Sequence, residues 1–166
     1  AGLSSRFGSP KALAKIKKKT IIERLQDEIL SSLCDETIIV LGAHKKNILP
    51  FIYKHPKIKS IENPNFSKGQ TSSVQTGLKN ISEQTTGIML LPVDYPLITA
   101  KIINELIDQF TKHTPLVLIP THAKKKGHPP IFHTKLKEQF LALDPQLGIN
   151  TIFQSFSKEI LFVPVH

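Results

Sequence analysis

The chain has little of several residue types that mark particular classes of protein. It holds one cysteine, Cys34, among 166 residues, which excludes an internal disulfide framework and a cysteine-based zinc cluster. With no tryptophan and only two tyrosines, it offers little aromatic surface for stacking single-stranded nucleic acid. No run reaches the roughly 20 apolar residues of a membrane-spanning helix. We therefore predict a protein that binds neither nucleic acid nor membrane, and the reducing cytoplasm is its expected compartment.

Acidic residues are also scarce, since 13 Asp and Glu stand against 22 Lys and Arg, for a formal net charge of +9. A basic balance attracts anions such as phosphorylated metabolites, although lysine clusters in solvated loops produce the same count. Apolar residues, by contrast, make up 40% of the chain. At this length, such a composition predicts one globular domain with a buried core.

Apolar patterning predicts strands that alternate with helices. Two continuous apolar runs, 36–41 and 87–93, are typical of strands buried on both faces of a parallel sheet. Shorter strands are expected at 57–62, 115–120 and 159–163. Helical spacing of apolar residues predicts helices at 21–33, 71–81 and 99–110, with shorter ones around 135–143 and 148–156. This alternation predicts right-handed βαβ units built on a parallel sheet.

Asp94 follows the second apolar run and lies between Pro92 and Pro96. Ligands of open α/β sheets bind beyond the carboxyl ends of the strands. A carboxylate there suits Mg²⁺, which keeps several waters and takes substrate phosphate oxygens. The alternative is that Asp94 only caps the helix that begins near Thr99.

The first eleven residues, AGLSSRFGSPK, have the chemistry of a phosphate-binding loop. Gly2 and Gly8 allow backbone N–H groups to approach an anion closely, and Arg6 and Lys11 add positive charge. The spacing does not match a Walker loop. A flexible surface turn is the alternative interpretation of such a glycine- and serine-rich segment.

Four segments, taken in order, resemble motifs of the MobA-like nucleotidyltransferases. They are AGLSSRFGSPK at 1–11, NPNFSKGQTSSV at 63–74, PVDYPL at 92–97 and GHPPIF at 127–132. The first resembles the AGxSxRxGxxK signature, and the last resembles the GHP motif of the branch typified by molybdenum cofactor cytidylyltransferase. This resemblance implies an α/β fold of the three-layer, Rossmann-like, nucleotide-diphospho-sugar transferase type, with a mostly parallel sheet flanked by helices.

The resemblance also implies a Mg²⁺-dependent nucleotidyl transfer. A phosphate of the acceptor, such as molybdopterin cofactor, attacks the α-phosphorus of an NTP and pyrophosphate leaves. Carried over by position, the catalytic residues are Arg6, Lys11 and Asp94, of which Asp94 binds the metal. The nucleotide-binding residues carried over in the same way are Ala1, Gly2, Ser4, Gly8, Ser72 and Ser73. His128 is expected near the acceptor.

Base and acceptor are the less determined parts of this hypothesis. Ala1 before Gly2 is similar to the cytidylyl-type loop, so CTP is the expected nucleotide. A sugar-1-phosphate acceptor is the competing enzymatic interpretation, whereas the GHP segment favours a pterin-type acceptor. A nucleotide-binding protein without catalysis is the third hypothesis, and pyrophosphate release distinguishes it from both enzymes.

The sequence departs from the family in two places. Asn150 stands where the family often has arginine, and the second metal-binding aspartate of the family has no counterpart before His166. We therefore expect residues 1–166 to form a single nucleotidyltransferase domain that a further segment after His166 completes with an acidic ligand. We also expect an apolar strand of about 5–8 residues before Ala1, because a phosphate loop of this kind follows a central strand.

Overall fold

A computed structural model describes residues 10–165, where strands alternate with helices. The strands are β1 (Lys15–Ile16), β2 (Lys19–Thr20), β3 (Thr37–Leu41), β4 (Ile58–Glu62), β5 (Gly87–Met89), β6 (Val117–His122), β7 (Lys125–Lys126), β8 (Ile131–His133) and β9 (Ile160–Pro164). The α-helices are α1 (Ile21–Leu30), α2 (Lys45–Ile48), α3 (Gln70–Leu78), α4 (Ala100–His113), α5 (Lys137–Ala142) and α6 (Asn150–Ser155). No helix of this part of the chain is both long and apolar enough to cross a membrane.

The helices begin where local sequence predicts. Thr20 and Glu23 form a reciprocal capping box at the start of α1, which satisfies backbone donors that the first turn leaves free. The Thr99 side chain accepts a hydrogen bond from the backbone N–H of Ile102 at the start of α4. The apolar stripe of α4 is buried, as its spacing predicts. These ends depend on interactions within four residues of the chain, which is why the sequence predicts them.

β3 and β4 pair in parallel, with Thr37 opposite Ile58 and Leu41 opposite Glu62. The connection between them runs through α2, as expected for a crossover between parallel strands. The remaining larger strands form a second sheet in which β8 lies between β5 and β6 and runs antiparallel to both. On the other side of β6, β9 pairs in parallel.

The antiparallel strand β8 differs from the parallel sheet that the alternation predicts. The chain returns from β6 through a tight hairpin with β7 instead of a helical crossover. Ala123 and Lys124 form its turn with φ values of 48° and 64°. A three-residue strand that follows Pro129 and Pro130 has too short a pattern to be recognised from periodicity. The sheet is therefore mixed, while the α/β, Rossmann-like class is confirmed.

Two apolar clusters cover the two faces of the second sheet. On one face, Val117 and Phe132 pack with residues of α3, α5 and α6, and the Phe132 and Phe140 rings stack with centroids 4.2 Å apart. On the other face, Leu118 and Ile131 pack against α4. Successive residues of a strand point to opposite faces, so the continuous apolar run of β6 fills both layers of core. The three layers are helix, sheet and helix.

The predicted strand 87–93 is shorter in the structure than its apolar run. Regular pairing ends at Met89, although Leu90 still donates a backbone hydrogen bond to Pro130 at 3.0 Å. Pro92 has no N–H to contribute to a ladder, and Tyr95 donates to the Pro92 carbonyl in a turn. Asp94 therefore lies in a turn five residues beyond β5.

Candidate active site

The centre of the site is an ion pair between two residues 83 positions apart. The Lys11 ammonium group lies 3.1 Å from Oδ1 and 3.3 Å from Oδ2 of Asp94. Both side chains are partly open to solvent, 40% and 54% exposed. A pair this exposed adds little to the stability of the fold. Its importance is that it holds these two side chains next to each other. The structure brings together Lys11, which the sequence predicts to contact phosphate, and Asp94, which it predicts to bind the metal.

The backbone on each side places these two charges. Lys11 opens a short 3₁₀ turn, Lys11–Leu13, that buried Ala12 anchors. The turn that carries Asp94 is held by Arg24, whose Nε donates to the Pro96 carbonyl at 3.0 Å. Because Thr99 provides the side-chain cap of α4, the alternative that Asp94 is the helix cap is wrong. The Asp94 carboxylate is thus directed to Lys11.

His128 lies beside this turn and stacks on Tyr95, with ring centroids 4.5 Å apart and ring planes inclined by 32°. Burial lowers the pKa of His128 below its ordinary value of 6.5, so the imidazole is neutral at pH 7. Its Nδ1 atom is buried and has no hydrogen-bond partner among residues 10–165. The imidazole therefore has one buried nitrogen that no described residue satisfies, and its ring lines the same pocket as Asp94.

A pocket of about 300 Å³ joins these groups. Its lining residues are Asp94, Tyr95, Pro96, Leu97, Ile98, Ile102 and His128. Leu97 is 69% exposed and Tyr95 is 39% exposed, so the pocket presents apolar surface to solvent beside the Asp94 carboxylate. Sequence reasoning missed Tyr95 and Leu97. The available signal was their position on either side of Pro96, directly after Asp94.

A buried amide organises the segment that contains Ser72 and Ser73. Asn63 is 1% exposed, and its Nδ2 donates to the hydroxyl oxygens of Ser72 at 2.9 Å and Ser73 at 3.1 Å. Its Oδ1 accepts from the backbone N–H of Asn65 at 2.9 Å. The Ser72 hydroxyl in turn lies within hydrogen-bond distance of the Asn65 and Gly69 carbonyls. Ser72 is therefore engaged in holding the loop, and Ser73 is the more accessible of the two.

Gly69, which precedes α3, requires its residue type. Its φ of 110° lies outside the range that side chains tolerate, and a β-carbon would stand 3.1 Å from the Pro145 carbonyl oxygen. This turn carries Ser73 into a cavity that Lys11 also lines.

Several predicted site residues lie outside the described residues. These are Ala1, Gly2, Ser4, Arg6 and Gly8, whose roles stay predictions. Within residues 10–165, no group of three or more His, Cys, Asp or Glu side chains converges on a metal position. Magnesium is often bound through one or two carboxylates, waters and substrate phosphates. A single carboxylate such as Asp94 is compatible with that pattern.

The sequence is similar to those of known proteins. The family model of the MobA-like NTP transferase domain matches residues 1–160. A relative from Bacillus cereus strain Q1 is named "Probable molybdenum cofactor guanylyltransferase". It is 27% identical over 143 residues, which cover 86% of this chain and 69% of the relative.

Solved structures share the fold. The Rv0371c homolog from Mycobacterium sp. strain JC1 superposes with a TM-score of 0.84 at 21% identity, over 99% of this chain and 82% of that chain. Rv0371c from Mycobacterium tuberculosis H37Rv, solved in complex with manganese, superposes with a TM-score of 0.76 at 18% identity, over 95% and 83% of the two chains. Both proteins therefore share the fold of this chain.

Proposed function

The chain belongs to the MobA-like NTP transferase family, and on that premise we propose that it transfers a nucleoside monophosphate from an NTP to a phosphorylated pterin acceptor. The observation that carries the proposal is the Lys11–Asp94 contact of 3.1 Å across 83 residues. An acceptor phosphate oxygen forms a bond to the α-phosphorus, the bond to the bridging oxygen breaks, and pyrophosphate leaves. No covalent enzyme intermediate is needed.

The chemistry that this reaction needs is electrostatic. Negative charge spreads over phosphoryl oxygens in the transition state, and preorganised cations stabilise it. Lys11 has three ammonium donors, which turn from Asp94 to the phosphate oxygens when nucleotide binds. Asp94 would hold a divalent cation, and that ion would supply charge neutralisation and orient the triphosphate. The Arg6 side chain and the glycine-rich segment before Pro10 are the further phosphate ligands that the sequence predicts.

We propose Mg²⁺ as that cation, because hard carboxylate and phosphate oxygens suit it. Manganese, the metal in the Rv0371c complex, has similar ligand preferences. Activity measured with Mg²⁺, with Mn²⁺ and after chelation tests this choice, and full activity in a chelator would contradict it.

The pocket around Tyr95 supports a flat acceptor. An aromatic ring and exposed Leu97 offer a face on which a heteroaromatic ring system stacks. Asp94 lines the same pocket, and the divalent cation that it would hold would offset the charge of the attached phosphate. Neutral His128 provides a polar atom for a ring substituent. A sugar phosphate would place hydroxyl groups against this apolar surface without partners, which is unfavourable. The name of the Bacillus relative, a molybdenum cofactor enzyme, points to the same pterin class.

The base of the nucleotide has two candidates. Ala1 before Gly2 in the sequence favours CTP. The Bacillus relative is named a guanylyltransferase, which favours GTP. We propose that one of these two nucleotides is the donor. We also place the reaction in the cytoplasm, where a free thiol such as that of Cys34 remains reduced.

The test is an assay of pyrophosphate release. Each of the four NTPs is combined with reduced molybdopterin cofactor, with a sugar 1-phosphate or with no acceptor, in Mg²⁺. The proposal expects release with CTP or GTP and the pterin acceptor only. Release with the sugar 1-phosphate and not with the pterin would show that the acceptor is a sugar phosphate. Saturable NTP binding without release under all conditions would identify a nucleotide-binding protein and overturn the enzymatic proposal.

A further inference from the structure

Helix α1 is joined at its first turn to the segment that carries Lys11. The backbone N–H of Ile21, the first residue of α1, donates to the Ala14 carbonyl at 2.9 Å. Ala14 closes the 3₁₀ turn that Lys11 begins, and its own N–H donates to the Lys11 carbonyl at 3.0 Å. The capping box of Thr20 and Glu23 fixes the start of the helix. Backbone hydrogen bonds in series therefore connect Lys11 to α1.

The same helix is joined to the turn of Asp94 and to the start of α4. Arg24 donates from Nε to the carbonyl of Pro96, two residues after Asp94, at 3.0 Å. Oε2 of Glu28 accepts a hydrogen bond of 2.8 Å from the backbone N–H of Ala100, the first residue of α4. Residues four apart are neighbours on one face of a helix. One side of α1 therefore holds this segment at two points.

Apolar packing presses α1 against the same segment. Leu25, which follows Arg24, forms a buried cluster with Ile98 and Ile103, on either side of the start of α4. Val93, the residue before Asp94, packs against this cluster. Such packing has no preferred direction, so it brings the helix and the turn together without orienting them. The hydrogen bonds of Arg24 and Glu28 depend on angle as well as distance, and they fix the orientation.

The function of both charges in the site depends on this placement. A misplacement of reacting groups by about 1 Å costs an enzyme as much as 10²-fold in rate. Groups that orient a metal ligand matter in the same way, because their loss typically lowers metal affinity or activity by about 10- to 100-fold. Lys11 and Asp94 lie on different segments of the chain, and α1 is bonded to both segments.

We propose that Arg24 and Glu28 are positioning residues of the active site, and that α1 sets the separation between Lys11 and Asp94 through them. Both residues act through the backbone around Asp94 and not as ligands of phosphate or metal. This inference rests on the proposed function, since it concerns the same metal and phosphate groups. It predicts that substitutions on the side of α1 that faces the Asp94 turn alter metal binding.

The first test asks whether α1 holds the turn, and it follows hydrogen exchange at Tyr95 and Ile98, whose amides donate within the turn. Arg24→Met keeps an unbranched stem but no donor, so exchange at both amides should quicken about fivefold or more, the order of one hydrogen bond. Arg24→Lys keeps a donor and should restore slow exchange. Asn104→Ala is the matched control, because Asn104 accepts the N–H of Leu33 beyond the other end of α1. Unchanged exchange in Arg24→Met would overturn the proposal.

The second test asks whether the positioning reaches the metal. Electron paramagnetic resonance measures Mn²⁺ binding with a non-hydrolysable analogue of CTP or of GTP. Arg24→Met and Glu28→Met should each weaken Mn²⁺ binding by about tenfold or more, whereas Asn104→Ala should match the parent. In an Asp94→Asn background, Arg24→Met should cause no further loss of turnover, because a residue that acts through another is coupled to it. Additive losses would overturn the proposal.

These measurements separate the positioning role from the proposed reaction. If the parent releases no pyrophosphate, while Arg24→Met quickens exchange and weakens Mn²⁺ binding, the reaction is wrong and the positioning role stands. If the parent is active and Arg24→Met equals it in Mn²⁺ binding and turnover, the positioning role is wrong and the reaction stands. A lower thermal midpoint with unchanged Mn²⁺ binding would show that Arg24 only stabilises the fold, which also overturns the proposal.

Discussion

The Lys11 ammonium group contacts both carboxylate oxygens of Asp94, at 3.1 Å and 3.3 Å. The side chain that we propose as the metal ligand is therefore paired with lysine in this structure. The pair holds a positive and a negative charge in contact, and Asp94 also lines the pocket of about 300 Å³ beside Tyr95 and His128. Each charge has a separate task in the proposed reaction, one toward phosphate and one toward metal. Neutralising them one at a time should therefore have different consequences.

Asp94→Asn should lower turnover by about 10²-fold or more, the order expected when a main electrostatic stabiliser is lost. Asparagine keeps the shape of the side chain and removes its charge. Because Asp94 is half exposed, the circular dichroism spectrum and thermal midpoint should remain close to those of the parent. Asp108→Asn, at an exposed position of α4, is the matched control. Near-normal pyrophosphate release by Asp94→Asn would remove Asp94 from the metal site.

Lys11→Ala should weaken the binding of NTP with Mg²⁺ by about 10- to 100-fold, the range for a hydrogen bond to a charged group. Calorimetric titration measures this loss, and Lys112→Ala, another exposed lysine, controls for net charge. An affinity equal to that of the parent would show that Lys11 does not contact the phosphates.

Tyr95→Ala should raise the KM for the acceptor by about tenfold and leave the KM for NTP unchanged, because the ring offers stacking surface to the acceptor alone. Tyr95→Phe keeps the ring and should behave like the parent. Steady-state kinetics with each substrate varied in turn provide the measurement. An equal rise in both KM values would indicate a general disturbance of the Asp94 turn.

Asn63→Ala should destabilise the protein by about 1–3 kcal/mol, because the buried partners of the amide lose their hydrogen bonds. Urea unfolding measures the difference. Asn65→Ala, which removes an exposed side chain from the same loop, should change stability by much less. Equal effects of the two substitutions would contradict the role that we give to the buried amide.

Stability should fall as the pH is lowered below about 6.5. Burial lowers the pKa of both His128 and His133 in the folded state, so the unfolded chain takes up protons first and is favoured as acidity rises. The contribution is fully present above the ordinary pKa of 6.5 and is lost as the pH falls through the lower folded value. Urea unfolding at pH 7.5 and 5.5 measures the change, and His128→Gln should reduce it. An identical pH dependence in that variant would exclude His128 as a source.

Local sequence determined where the helices begin. It also determined that Asp94 follows an apolar run. Thr20 with Glu23 and Thr99 with Ile102 mark the starts of α1 and α4, because a cap involves groups only three residues apart. Asp94 was predicted at the carboxyl end of an apolar run for the same reason. Lys11, Ser73 and His128 were identified by motif resemblance, which carries residue types and spacing but no distances.

The tertiary structure decided which of these residues meet. Tyr95 stacks on His128 across 33 positions of the chain, and no periodicity encodes that contact, since it depends on β8 returning antiparallel between β5 and β6. The same return path brings the Pro130 carbonyl to the N–H of Leu90. Regular pairing ends just before this contact, whereas the apolar run predicted a strand that continues to Val93. Hydrophobic pattern specifies which face of an element is buried, whereas the pairing of distant elements depends on how the whole set of strands packs. That packing brought Lys11 to Asp94.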